Sequence, residues 1–128
     1  MDGGAQNLSV RIDSLIPDRV LEFTAISVEP EAIWVYYQIT PALPEEDPGQ
    51  QPWLMWEWDG VDDTGTAYLP AGGAFGPAED GGSTRGDLTL TPAPPPAARQ
   101  LRLHLHPYLW GGDDLGSADV ELPLPTGS

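Results

Sequence analysis

The chain has no cysteine and no lysine. Without cysteine, disulfides and thiolate metal sites are excluded, and the redox compartment is left open. Without lysine, every permanent positive charge is an arginine. Five arginines stand against twenty acids, for a formal net charge of −15. Such a surface repels phosphate backbones and anionic headgroups, so nucleic acid is not an expected partner. The same excess favours solubility. Repulsion among so many acids predicts that added salt stabilises the fold, as does lowering the pH from 7 towards about 5. No apolar run is long enough for a membrane-spanning helix, so no membrane insertion is expected. The stretch MDGGAQNLSV has neither a basic region nor an apolar core; no Sec signal is expected in it, and a cytoplasmic location is. Long helices are missing too, because fifteen prolines and fifteen glycines interrupt 128 residues too often to allow them. A turn or two of helix in PDRVLEFTA, residues 17–25, is the one place the pattern permits otherwise.

What is present is alternation. Apolar residues recur with a period of two, the signature of half-buried strands. LSVRID (8–13) puts Leu8, Val10 and Ile12 on one face. VLEFTAISV (20–28) and AIWVYYQIT (32–40) are β-branched and aromatic, as strands favour. WLMWEWDG (53–60), TAYLP (66–70), DLTLTP (87–92), RQLRLHLHP (99–107) and ADVELPL (118–124) complete the set. Between them lie a proline-rich loop (41–52), a flexible glycine-rich loop (71–84), an extended linker APPPAA (93–98) and a loop at 110–117. A chain of this length makes one domain. Short strands without crossover helices build a sandwich or a barrel. The expected fold is a single immunoglobulin-like antiparallel β-sandwich of seven to eight strands over residues 8–124, without a disulfide. A small β-barrel is the alternative. Residues 1–7 are expected to be a disordered tail, and 125–128 a second tail.

The run DDTGTAYLPAGG, followed by LTLTPAPPPAARQLRLHL, resembles uncharacterised Ig-like β-sandwich proteins of actinobacteria. The likeness spans roughly residues 8–124. It implies a fold and carries over no activity and no catalytic residue.

Four patterns are candidates for chemistry. In WEWDGVDDTGTAYLP (56–70), three acids stand beside a glycine: Asp59, Asp62 and Asp63. A calcium loop needs acids at alternate positions, glycine sixth and a bidentate glutamate twelfth. Counted from Asp59, those places hold Val61, Thr64 and Pro70, so a strand-to-strand turn is expected instead. His104 and His106, two apart on a strand, share a face and are the weak candidates for a metal. Zinc would need a third ligand, and Arg102 stands on the same face. Leu101, Leu103 and Leu105 are expected in the core. Arg85, Gly86 and Asp87 spell the adhesion tripeptide, but Asp87 opens a strand. No nucleophile motif and no phosphate loop occurs. The carboxylate pairs at 45–47 and 113–114 fall in loops. No enzyme activity, no cofactor and no metal are expected.

Five tryptophans remain to be placed. Pairing strand 32–40 with 53–59 as neighbours sets Tyr37 opposite Trp56 and Val35 opposite Trp58 on the core face. Trp34, Tyr36, Gln38, Trp53, Met55, Glu57 and Asp59 would then point outward. A solvent face rarely needs two tryptophans, so Trp34, Tyr36, Trp53 and Glu57 are the candidate binding residues. The alternative is that loop 71–84, with Phe75, covers this face. The expected function is a non-catalytic binding or interaction module whose partner is a protein or a second copy. The alternatives are a carbohydrate-binding module using exposed Trp and Tyr, and a metal-dependent hydrolase around His104 and His106.

Overall fold

The structure is a computed structural model that describes residues 4–13, 15–16, 19–41, 54–77, 81–109 and 116–125. Eight strands follow in order: β1 (Gly4–Asp13), β2 (Val20–Val28), β3 (Ile33–Thr40), β4 (Leu54–Asp62), β5 (Ala67–Pro77), β6 (Thr84–Thr91), β7 (Gln100–Leu109) and β8 (Ala118–Pro123). Every pairing is antiparallel, and the spatial order is β1-β2-β3-β6-β5-β4-β7-β8. The described residues form no helix. The fold is all-β, as the alternation predicts, and its single sheet curls nearly into a barrel. β1 and β8 are its two edges.

One strand makes the curl. β5 pairs with β4 only at Ala67 and Tyr68, and with β6 from Leu69 to Pro77. A register shift between Pro70 and Gly72 marks the change of partner, and Gly72 takes a φ of 124°. Only glycine adopts that conformation at little cost. Bulges of this kind bend a strand and sharpen its twist. The sheet therefore divides into a half built on β1, β2, β3 and β6 and a half built on β4, β7 and β8, facing each other across one core.

The core follows the period-two pattern. Ile33, Val35, Tyr37 and Ile39 of β3 are buried, as are Leu101, Leu103 and Leu105 of β7, Leu21, Phe23, Ile26 and Val28 of β2, and Leu88 and Leu90 of β6. Leu8, Val10, Ile12, Trp56 and Trp58 pack against them. Burying such side chains is the main drive to fold, at about 25 cal/mol per Å² of apolar surface.

Several expectations are corrected. β1 begins at Gly4, inside the stretch 1–7 expected to be a tail, because its backbone pairs with β2 from Gly4↔Val28 onward. Backbone pairing needs no apolar side chain, so hydropathy does not reveal it. Residues 71–77, expected in a flexible loop, continue β5 for the same reason. Strands 32–40 and 53–59 are not neighbours: β3 lies between β2 and β6, and β4 between β5 and β7. Tyr37 and Trp56 do meet, across the core, with ring centroids 5.6 Å apart. The 93–98 segment is not extended throughout; Ala98 N–H donates to Pro95 O at 3.0 Å, closing a turn. The expected loops at 42–52 and 110–115, both carboxylate pairs within them, Trp53 and residues 126–128 lie outside the described residues.

Candidate functional site

The acidic stretch at 59–66 is a turn held by one carboxylate. Asp62, only 6% exposed, ends β4. Its Oδ1 accepts from Thr64 N (2.8 Å), Thr64 Oγ1 (2.6 Å) and Thr66 N (3.0 Å), and its Oδ2 accepts from the Tyr68 hydroxyl (2.5 Å). Gly65, at a φ of 91°, completes the turn by donating N–H to Asp62 O at 3.1 Å. Burial pushes the Asp62 carboxyl upward. The bonds from Thr64, Tyr68 and Thr66 outweigh it and hold the group below its ordinary value. Burial, and then the bond to Asp62, pushes the Tyr68 hydroxyl far above its usual range. Asp63 is used as well: its Oδ1 accepts from Arg99 N at 2.9 Å, tying the turn to the start of β7. Each Asp62 oxygen is taken by a protein donor, so a cation would have to displace those bonds. The stretch is built to close a turn, as its spacing predicts.

The outer face of the β4–β7–β8 half sets carboxylates beside two imidazoles and one guanidinium. His104 lies between Asp59 and Asp119, His106 beside Glu57, and Arg102 beside Glu121. His104 Nδ1 is 2.6 Å from Asp119 Oδ1, Arg102 NH2 is 3.1 Å from Glu121 Oε1, and His106 Nδ1 is 3.7 Å from Glu57 Oε2. The two imidazoles share a face with Arg102 and oppose buried Leu101, Leu103 and Leu105, as expected from alternation. Among the described residues, no group of three His, Asp or Glu side chains is placed to hold a metal ion.

Where β5 leaves β4, a concavity of about 470 Å³ opens. It is lined by Trp56, Glu57, Trp58 and Asp59 of β4, Leu69 and Pro70 of β5, and His104 and His106 of β7. Trp58 fills the wedge between the diverging strands. Its Nε1–H donates to Thr89 O of β6 at 3.1 Å, and a Cβ on Gly73 would lie 3.3 Å from its Cη2. The Trp56 Nε1–H is shut away from solvent and makes no well-formed hydrogen bond, although the Tyr37 hydroxyl is near enough to interact. Nothing in the strand pattern points to this concavity, because it arises from a change of partner along β5.

On the other half, Trp34 and Tyr36 project outward from β3. Their rings stack with centroids 6.5 Å apart and planes 21° from parallel. Tyr36 is 37% exposed, and Trp34 is half-buried. Their sheet neighbours are mostly small: Ser27 and Thr89 flank Trp34, while Ala25 and Asp87 flank Tyr36. Phe75 does not cover this face; it packs against the core. The four candidate binding residues are thus not one patch. Trp34 and Tyr36 belong together, Glu57 sits on the outer face of the opposite half, and Trp53 is outside the described residues. The tripeptide Arg85–Gly86–Asp87 lies within β6, paired on both sides, and not on a projecting loop.

No known family model matches the chain, and no curated protein does. Among solved structures, it is similar to one described as the conserved domain protein from Bacillus anthracis, at 16% identity and a TM-score of 0.56. The match covers 97% of this chain and 49% of that one, so the chain spans about half the length of its structural neighbour. At that identity the likeness shows the fold alone.

Proposed function

We propose that the chain is a non-catalytic immunoglobulin-like binding module. The fold part of this reading is supported by strand order. With β1 set aside, β2-β3-β6-β5 and β4-β7-β8 run in the order of the ABED and CFG strands of immunoglobulin constant domains. The observation that carries the binding part is the stacked Trp34–Tyr36 pair on the outer face of an interior strand. Aromatic side chains give large contact area at low entropic cost and dominate many interfaces. The nearly parallel rings also favour a second reading, in which the platform stacks against the flat face of a sugar. The hydrolase reading has less support, since carboxylates already face Nδ1 of both His104 and His106.

Quenching by iodide in single-tryptophan variants tests the platform. Trp34 is expected to be quenched more strongly than Trp56 and Trp58. If Trp34 is as shielded as Trp56, the aromatic face is not a binding surface. Titration with a panel of soluble oligosaccharides separates the two ligand classes. A saturable change abolished by Trp34→Ala would mark a sugar reader, and no response to any glycan would favour a protein partner.

A further inference from the structure

We infer that the groove where β4 and β5 part is a docking site for an arginine side chain of a basic partner protein. This goes beyond the binding reading above, since the groove is lined by residues of β4, β5 and β7 and includes neither Trp34 nor Tyr36. Four observations lead to it. The groove is a half-open concavity of about 470 Å³, a size that suits a side chain or a small ligand. Its lining joins aromatic and apolar surface to carboxylates: Trp56 and Trp58 between the strands, Leu69 and Pro70 on one wall, Glu57 and Asp59 on the other. Leu69, 67% exposed, leaves its apolar side chain open to solvent at the rim of the groove. Among the described residues, no arginine lines the groove, and the groups facing its acids are two imidazoles, of which His106 stands 3.7 Å from Glu57.

A planar guanidinium matches this combination better than other groups do. It stacks on aromatic rings, pairs with carboxylates through a fork of donors, and sheds water more readily than an ammonium. The glutamate and aspartate stand at alternate positions of one strand, about 7 Å apart along it, within reach of one guanidinium and a second cation beside it. The field of the whole molecule points the same way. A net charge of −15 draws basic partners and speeds their encounter. It also argues against a second copy as the occupant, because a second copy would bring fifteen more negative charges.

The test uses two capped pentapeptides, Gly-Arg-Gly-Arg-Gly and its counterpart with citrulline in place of arginine. Citrulline keeps the shape and removes the charge. Binding is followed by the indole signals of the full chain in two-dimensional NMR. The arginine peptide is expected to shift the Trp56 and Trp58 indoles saturably, and the citrulline peptide to bind at least tenfold more weakly. Glu57→Gln with Asp59→Asn should weaken the arginine peptide by roughly tenfold. Asp13→Asn with Glu22→Gln, on β1 and β2, removes the same charge at a distance and should change affinity less than about twofold. The inference is overturned if citrulline binds as well as arginine, if the distant pair costs as much as the groove pair, or if the arginine peptide shifts neither indole.

Discussion

The two ends of β4 are built from similar residues and finished in opposite ways. At its C-terminal end, β5 runs alongside, and Asp62 is enclosed by donors from Thr64, Thr66 and Tyr68. Towards its N-terminal end β5 has crossed to β6, and Glu57 and Asp59 border an open groove with Trp56 and Trp58 beside them. A carboxylate with both oxygens held by protein donors is committed to the fold. Among the described residues, Glu57 and Asp59 meet only the imidazoles of β7, His106 standing 3.7 Å from Glu57, and otherwise face the groove. Residue type alone does not distinguish the two; the course of the next strand does.

The closed end is the place to look for the largest effect. Asp62→Ala should destabilise by about 3 kcal/mol, since it strands the buried Tyr68 hydroxyl and two backbone amides. Chemical denaturation measures it, and a loss below about 1 kcal/mol would mean that the turn is held by other contacts. The same carboxyl sets a pH dependence. Its pKa is lowered in the fold, so the folded state binds fewer protons than the unfolded one near and below the ordinary carboxylate value. The stabilisation is full above that value and is lost as pH falls through the folded one. Acid titration of stability should therefore be steeper for the wild type than for Asp62→Asn.

At the open end the tryptophans still serve the core. Trp56→Ala should cost about 2–4 kcal/mol, somewhat less than a fully buried tryptophan, because it removes the ring packed on Tyr37. Gly73→Ala sharpens the contrast, as its new Cβ would stand 2.7 Å from Asp87 O of the neighbouring strand. Backbone has little room to yield there, and a loss of about 1–3 kcal/mol is expected. Glu57→Gln, exposed at the groove, should change stability by less than about 0.5 kcal/mol. A larger loss would show that the groove acid, like Asp62, belongs to the scaffold.

Much of the fold was legible because alternation reports which way a side chain points. β2 matches the expected 20–28, and the buried leucines of β7 are those the pattern selected. Alternation does not report which strand lies beside which. Tyr37 and Trp56 were correctly turned inward yet wrongly made sheet neighbours, since facing across a core and pairing within a sheet leave the same trace in sequence. β5 escaped because Gly72, Gly73 and Gly76 have no side chains to alternate. The groove escaped with it, as its position depends on where β5 changes partner. The turn at Asp62 was legible, because Asp, Thr and Gly at that spacing have a local geometry of their own.

The strand order also bears on how fast the chain can find its fold. Ile33 pairs with Leu90, and Leu54 with Leu109, so the two ladders that join the meanders link distant parts of the chain. Each must close a long loop before its contacts repay the lost entropy. Such a topology belongs with the slow folders, in the range of milliseconds to seconds. During that search the unpaired faces of β3 and β4 stay exposed to other chains. The acidic surface then has a kinetic use, since mutual repulsion keeps half-folded molecules apart until β6 and β7 arrive.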